Sequence, residues 1–243
     1  MSRKTVAITG ASSGIGLALA KAYLEEGFNV VGNARTLERL RSAHRELGSP
    51  ENFAMVEGDV GRPDTARRIF DTAVARFGQV DVLVNNAGIF SVKPFTDYSP
   101  DDVAALVSTN LHGFVYATQQ AIRHMVPRKS GHIINITASI ASQPLHNVPA
   151  SLPILIKGGI NQATKALALE LAPHNIKVTA VAPGIVDTPL YTQEMHGFLN
   201  TLQPAGRIGT TREIADAVLY LTRAEFTTGI VLPVDGGMAS GRF

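Results

Sequence analysis

The stretch that decides the fold is Lys4-Thr5-Val6-Ala7-Ile8-Thr9, followed directly by Gly10-Ala11-Ser12-Ser13-Gly14-Ile15-Gly16. The first six residues predict a short buried strand, and apolar residues at helical spacing predict a helix over 15–26. A glycine-rich turn between a strand and a helix lets the backbone approach a phosphate and points helix N-terminal amides at it. The alternative is a flexible Gly/Ser turn without a ligand, but the flanking strand and helix favour the phosphate cradle.

Strands and helices alternate along the whole chain. The pattern predicts strands near 4–9, 29–34, 53–57, 81–85, 131–137, 176–182 and 229–233, and helices near 15–26, 36–47, 64–77, 100–126, 151–172 and 211–223. Such alternation implies a doubly wound, Rossmann-type α/β fold with about seven parallel strands and helices on both faces. A ligand of such a sheet binds beyond the carboxyl ends of the strands, where the strand order reverses.

The composition excludes several classes of protein. The chain has 243 residues, of which 45% are apolar and 17% are charged, with a net charge of +2 and no cysteine. This length predicts one domain, 1–243. The balanced charge argues against nucleic acid partners, and no apolar run is long enough to span a membrane. The first residues lead into a predicted strand rather than a signal peptide, so we predict a cytoplasmic protein. Because the chain has no cysteine, disulfides and thiol catalysis are excluded. No metal site is predicted.

Seven motifs, in a fixed order, carry a family resemblance. They are Thr9-Gly10 to Gly16, Asp59-Val60, Asn85-Asn86-Ala87-Gly88, Asn110, Lys157, Pro183-Gly184 with Thr188, and Val234-Asp235-Gly236-Gly237. With its Thr-Gly-x-x-x-Gly-x-Gly spacing, the chain resembles the short-chain dehydrogenase/reductase family over essentially its whole length. The resemblance implies an oxidoreductase that transfers a hydride between a nicotinamide cofactor and a small carbonyl or alcohol. It also implies a homodimer or homotetramer built on helices 100–126 and 151–172, whose small or apolar residues include Ala163, Ala166, Leu167, Ala168 and Leu171.

The resemblance further implies which residues hold the dinucleotide. Asp59 accepts from the adenine amino group with Val60 against the ring, Lys157 binds the nicotinamide ribose, and Thr188 fixes the carboxamide. The predicted cofactor-binding set is Gly10, Ser12, Ser13, Gly14, Ile15, Gly16, Arg35, Asp59, Val60, Asn86, Ala87, Gly88, Lys157, Pro183, Gly184, Val186 and Thr188. For Asp59, the alternative is a helix N-cap.

The end of the second predicted strand distinguishes the two dinucleotides. NAD sites usually carry a carboxylate there that binds the adenosine ribose. This chain has Gly32-Asn33-Ala34-Arg35 instead, so no acid repels a 2′-phosphate and Arg35 offers a planar fork of donors. We therefore predict NADP(H) as the preferred cofactor, with NAD(H) as the second choice. A solvated surface arginine is the alternative interpretation of Arg35.

The reaction chemistry is where the sequence departs from the family. Members of the family use a Tyr-x-x-x-Lys pair, in which the phenol donates the proton, together with a serine and an asparagine. Four residues before Lys157 lies Pro153, and seven before it, the spacing of enoyl reductases, lies Ala150. Neither side chain can donate a proton. The chain is therefore a divergent member that lacks the active-site tyrosine.

The predicted catalytic set is Asn110, Ser139 and Lys157. The family's serine usually falls at the position of Ala138, so Ser139 reaches the site only if the loop shifts by one residue. The alternative interpretation of Ser139 is a polar residue where a strand leaves the sheet. Asn110 is disfavoured inside a helix, which favours a role in the site.

Two functions remain open at this point. One is an NADP(H)-dependent oxidoreductase with an atypical proton donor, for which His146, Tyr191 or a water held by Asn110 and Lys157 are candidates. The other is an NADP(H)-binding pseudoenzyme that acts as a sensor or as a partner subunit. A lid near 188–207 is predicted to cover the substrate, whose identity the sequence does not reveal.

Overall fold

A computed structural model describes residues 3–241 and contains one parallel sheet in the order β3-β2-β1-β4-β5-β6-β7. The strands are β1 (Thr5–Ile8), β2 (Asn29–Ala34), β3 (Phe53–Glu57), β4 (Val82–Asn85), β5 (Gly131–Ile136), β6 (Ile176–Pro183) and β7 (Val231–Val234). The doubly wound Rossmann-type sheet of seven strands is confirmed. Residues 1–2 and 242–243, part of the predicted domain 1–243, lie outside the described residues.

The helices lie on both faces of this sheet. They are α1 (Gly14–Glu25), α2 (Leu37–Glu46), α3 (Pro63–Phe77), α4 (Pro100–Leu106), α5 (Gly113–Met125), α6 (Ser151–Leu171), α7 (His196–Asn200) and α8 (Thr211–Arg223). The helix predicted over 100–126 is divided, because a π-helical turn at Val107–His112 joins α4 to α5. Among the described residues, no helix is both long and apolar enough to cross a bilayer.

An apolar core lies on each face of the sheet, between the strands and the helices that pack against them. On one face α1 and α8 supply buried side chains such as Leu19, Tyr23 and Val218. On the other face α3, α5 and α6 do so, and Ala168 and Leu171 belong to this core. Those two residues are therefore not available to an oligomer interface, contrary to the expectation for helix 151–172.

Candidate active site

The glycine turn after β1 has the geometry of a phosphate cradle. Gly10 has φ +69°, a backbone conformation that favours glycine. A side-chain carbon at Gly16 would overlap the carbonyl oxygen of Gly10, so the turn closes only with glycine there. α1 begins at Gly14, and the first amides of a helix have no intrahelical partners and attract an anion.

Hydrogen bonds join the carboxyl ends of β1 and β4, where the strand order reverses. The Thr9 hydroxyl accepts from the backbone amides of Asn86 and Ala87, both at 3.0 Å. The Asn86 side chain donates to the carbonyl oxygen of Thr9 at 2.9 Å. Asn86 is therefore a structural part of the cleft floor, and its amide nitrogen faces the glycine turn.

A cleft of about 580 Å³ opens above these strand ends. The predicted cofactor residues that line it are Gly10, Ser12, Ser13, Gly14, Ile15, Gly16, Arg35, Asp59, Val60, Asn86, Ala87, Gly88, Lys157 and Thr188. Three others, Pro183, Gly184 and Val186, do not line it. Gly184 packs against Gln203 and Asp235, and buried Val186 pairs with Gly209. These residues precede Thr188 in the chain, and their contacts hold the start of the loop that carries it.

Arg35 and Arg39 both line the end of the cleft beside β2, and both are exposed. Arg39 was not predicted from the sequence; it lies in the first turn of α2, whereas Arg35 precedes the N-cap residue Thr36. Asn33 shapes the same end, because its side chain donates to the carbonyl oxygens of Val56 and Gly58, each at 3.0 Å. The last residue of β2 is Ala34, at the position where NAD sites usually carry a carboxylate.

Asp59 does not cap a helix, so the alternative raised for it is wrong. The N-cap of α3 is Arg62, whereas the Asp59 carboxylate accepts from the backbone amide of Gly61 at 2.9 Å. This bond closes a local turn and leaves Asp59 on the cleft wall beside Val60. Val60 is buried against Gly113 at the start of α5.

Lys157 lies at the opposite end of the cleft, in the second turn of α6. Its side chain is only 8% exposed, and Nζ donates to the carbonyl oxygen of Ile136 at 2.8 Å. Burial lowers the pKa of Lys157 to about 8. A side-chain carbon added at Gly88 would lie 3.4 Å from Nζ, so the ammonium group closely approaches the loop after β4.

Asn110 lies in the π-helical turn, a device often found at functional sites. Its side chain is buried and makes two hydrogen bonds to the backbone of Ile89, each at 2.9 Å. The amide therefore holds the loop after β4, and it lines a small cavity behind Lys157 rather than the main cleft. Asn110 is a positioning residue in this structure.

The same cavity is bordered by a buried polar chain that sequence reasoning missed. Asn85 donates to Thr118 at 3.0 Å and to Asn135 at 2.9 Å, and Asn135 donates to Thr164 at 2.9 Å. These bonds link α5, β4, β5 and α6 beneath Lys157. Buried polar groups need such partners, so the chain fixes α6 relative to the sheet.

The predicted catalytic serine is not brought to the cleft. Ser139 is fully buried, and its hydroxyl makes no hydrogen bond with any described residue. A single 3₁₀ turn begins at Ser139, directly after half-buried Ala138, and this turn takes the Ser139 side chain into the interior. The one-residue shift that would place Ser139 in the cleft is absent here.

Pro153 occupies the first turn of α6, which begins at Ser151. Proline is tolerated there because its missing N–H has no helical partner in any case. Pro153 is buried and precedes Lys157 by one helical turn, and its side chain carries no exchangeable proton.

The other candidate donors lie away from the cleft floor. His146 is exposed and lines a separate cavity of about 590 Å³ together with Gln143, Asn147 and Thr201. Tyr191 is half-buried, and burial raises its pKa, which makes it a weaker acid. Neither residue lines the cleft that holds Lys157.

The predicted lid near 188–207 contains the short helix α7 and exposed Leu190 and Phe198. Its base is fixed by buried Gln203, whose side chain bonds to both backbone groups of Ile185, at 3.1 and 3.2 Å. Gln203 also donates to the carbonyl oxygen of Arg207 at 2.7 Å. No motif in the sequence marks this anchor.

Comparison with known proteins agrees with this geometry. The family model for short chain dehydrogenases matches residues 4–197, and the chain belongs to that family of oxidoreductases. It is 36% identical over 251 residues to 3beta-hydroxysteroid dehydrogenase 1 of Eggerthella lenta, covering 97% of this chain and 93% of that one.

Solved structures are also similar over nearly the whole chain. ElxO with NADP bound superposes with a TM-score of 0.91 at 31% identity, covering 98% of this chain and 100% of that one. A 3-ketoacyl-(acyl-carrier-protein) reductase from Brucella melitensis complexed with NADH superposes with a TM-score of 0.92 at 30% identity, covering 98% and 99%. Relatives of this fold are thus crystallised with either dinucleotide.

Proposed function

We propose that this protein is an NADP(H)-dependent oxidoreductase that transfers a hydride to or from a small carbonyl or alcohol. The observation that supports it is the continuous cleft, with the phosphate cradle in the middle, Arg35 and Arg39 at one end and Lys157 at the other. The bound nicotinamide supplies or accepts the hydride. Relatives named as a steroid dehydrogenase and a ketoacyl reductase support the reaction class and leave the substrate open.

The residues of the cleft fit the parts of the dinucleotide. The amides at the start of α1 face the pyrophosphate, and the glycine turn leaves room for it. Arg35 and Arg39 take the 2′-phosphate through charge-assisted hydrogen bonds. Lys157 binds the hydroxyls of the nicotinamide ribose, and Thr188 binds the carboxamide.

Fluorescence titration and single-turnover kinetics test this function. The protein should bind NADPH, and bound NADPH should be oxidised when a panel of ketones and diketones is added. A matched control is the Gly16→Val variant, in which the new side chain overlaps the Gly10 carbonyl oxygen and prevents the glycine turn from closing. Absence of NADPH binding by the folded wild-type protein would overturn the proposal.

A second candidate function is an NADP(H)-binding protein without turnover, acting as a sensor or partner subunit. It is favoured by Pro153 in place of the tyrosine and by the burial of Ser139 away from the cleft. The two functions differ in one measurement. The oxidoreductase consumes bound NADPH in the presence of a carbonyl, whereas the sensor binds NADPH and leaves it reduced.

We also propose a cytoplasmic homodimer or homotetramer formed through α5 and α6. Leu155 is 67% exposed and Leu169 is 79% exposed on α6, and burial of such side chains in an interface is favourable. Light scattering measures the mass directly. A Leu169→Glu variant should dissociate the oligomer if this face forms the contact.

A further inference from the structure

We propose that Lys157 itself exchanges the proton with the substrate oxygen, in the place of the phenol that this chain lacks. The inference rests on the proposed oxidoreductase function and assigns its proton donor. Lys157 would then be a catalytic residue as well as a ligand of the cofactor ribose.

Among the described residues, Lys157 is the one titratable side chain that lines this end of the cleft. The residue one turn before it is Pro153, which has no exchangeable proton. Ser139 is fully buried, and His146 and Tyr191 do not line the cleft. Lys157 does line it, and an ammonium group carries three hydrogens, of which the bond to Ile136 uses one.

The surroundings of Lys157 suit proton exchange near neutral pH. The groups facing it are the carbonyl oxygen of Ile136 from β5, Gly88 from the loop after β4 and Asn110 from the π-helical turn. None of them is titratable. Burial alone lowers the pKa of Lys157 to about 8, so both the ammonium and the amine are populated near pH 8.

The proton balance of the reduction is simple. Hydride from NADPH adds to the carbonyl carbon, and the C=O π electron pair moves to the oxygen. One N–H bond of the Lys157 ammonium breaks, the proton joins that oxygen to give the alcohol, and the amine remains neutral. NADPH is oxidised to NADP⁺, the carbonyl is reduced, and the amine regains a proton from water at the open mouth of the cleft. Alcohol oxidation reverses each step.

The Lys157→Arg variant separates proton exchange from cofactor binding. Arginine keeps the positive charge and the hydrogen-bond donors, but it does not release a proton in proteins. We expect this variant to bind NADPH within about threefold of wild type, because the guanidinium group can still donate charge-assisted hydrogen bonds to the ribose hydroxyls. Its single-turnover reduction rate should fall by about 10²-fold or more, the usual contribution of a general acid. Lys157→Met should lose both binding and turnover.

The pH dependence of the wild type gives a second test that needs no variant. The reduction rate should decrease, and the oxidation rate increase, as the pH rises through about 8. His146→Ala and Tyr191→Phe should keep this profile, because both residues lie outside the cleft.

A third test does not depend on activity. Reductive methylation with ¹³C-formaldehyde labels the lysines, and the Lys157 signal is the one missing from the spectrum of Lys157→Arg. In the protein without cofactor this signal should titrate with a midpoint near pH 8. A midpoint above about 10, the ordinary range of lysine, would overturn the inference.

The outcomes separate this inference from the proposed function. Turnover by Lys157→Arg above about a tenth of wild type, or a wild-type rate independent of pH between 7 and 9, would overturn the proton-donor role alone. A wild type that binds NADPH but reduces no carbonyl would overturn both. If Lys157→Arg fails to fold by circular dichroism, the wild-type pH profile decides.

Discussion

Asn110 makes both hydrogen bonds of its side-chain amide to the backbone of one residue, Ile89. Nδ2 donates to the Ile89 carbonyl oxygen and Oδ1 accepts from the Ile89 amide, both at 2.9 Å. The loop after β4 is thereby fixed to the π-helical turn between α4 and α5. Because Gly88 in that loop approaches Lys157, the position of the loop decides how much space the ammonium group has.

Asn110→Ala should destabilise the protein and weaken NADPH binding. Two backbone groups of Ile89 lose their partners, which costs about 1–3 kcal/mol in the free energy of unfolding. Urea unfolding with and without NADPH measures both effects. The matched control is Asn161→Ala, since the Oδ1 of buried Asn161 has no partner among the described residues. Equal losses in the two variants would contradict the special role of Asn110.

Arg35→Ala and Arg39→Ala should each weaken NADPH binding and leave NADH binding nearly unchanged. A charge-assisted contact to the 2′-phosphate contributes about 1.5–3 kcal/mol, which is about tenfold or more in the dissociation constant. Fluorescence titration with both nucleotides measures the preference. Arg45→Ala, on α2 like Arg39 but outside the cleft, should change neither affinity. Equal wild-type affinities for NADPH and NADH would refute the assignment.

Stability should fall in mild acid because of His132. Burial lowers the pKa of His132 from 6.5 to about 3, so below pH 6.5 the unfolded chain binds a proton that the folded chain does not. Protonation of the His132 imidazole in the unfolded chain alone lowers the free energy of unfolding by about 2 kcal/mol between pH 8 and pH 5. In His132→Gln the urea midpoint should vary less over that range. Thr179→Val, which removes the hydroxyl bonded to the ring at 2.9 Å, should lower stability but keep the pH dependence.

Pro153→Tyr should fold and raise the rate of ketone reduction by NADPH. The phenol would lie one helical turn from Lys157, whose positive charge favours its ionised form. We expect an increase of about tenfold, smaller than the ~10²-fold a general acid commonly contributes, because Lys157 already donates. Pro153→Phe controls for shape. No difference between the Tyr and Phe variants, both folded and binding NADPH, would show that the pocket has diverged from the family.

Most of the fold and the dinucleotide end of the site were readable from the sequence. Strands such as Val6 to Ile8 are buried on both faces and therefore form continuous apolar runs between glycine-rich turns. The glycine turn, Asp59 and Asn86 fall at strand ends, where the sheet topology brings them to one edge. Apart from the division of 100–126, the predicted bounds agree with the structure to within two residues, and only the short helix α7 among the helices described above was not predicted.

The features that depend on long-range packing were not readable. Apart from Asn110, no residue of the π-helical turn interrupts the helical pattern, so the sequence predicts one helix over 100–126. The sequence does not determine whether Ser139 reaches the cleft, because a shift of one residue after β5 changes the answer. In the structure Ser139 is buried, and Ile136 and Thr137 line the cleft at this point. Gln203 became recognisable only through its bonds to Ile185, 18 positions earlier in the chain.

The pairing of β1 with β4 has a consequence for how the protein emerges from the ribosome. The Thr5 amide donates to the Asp81 carboxylate, 76 positions later in the chain. β1 is synthesised first, and its edge that pairs with β4 stays uncovered until β4 has been synthesised. Non-local parallel pairing of this kind slows folding, and an uncovered apolar strand edge can pair with other chains. A nascent chain that stalls before residue 82 therefore leaves this edge of β1 uncovered, and the edge can pair with neighbouring polypeptides.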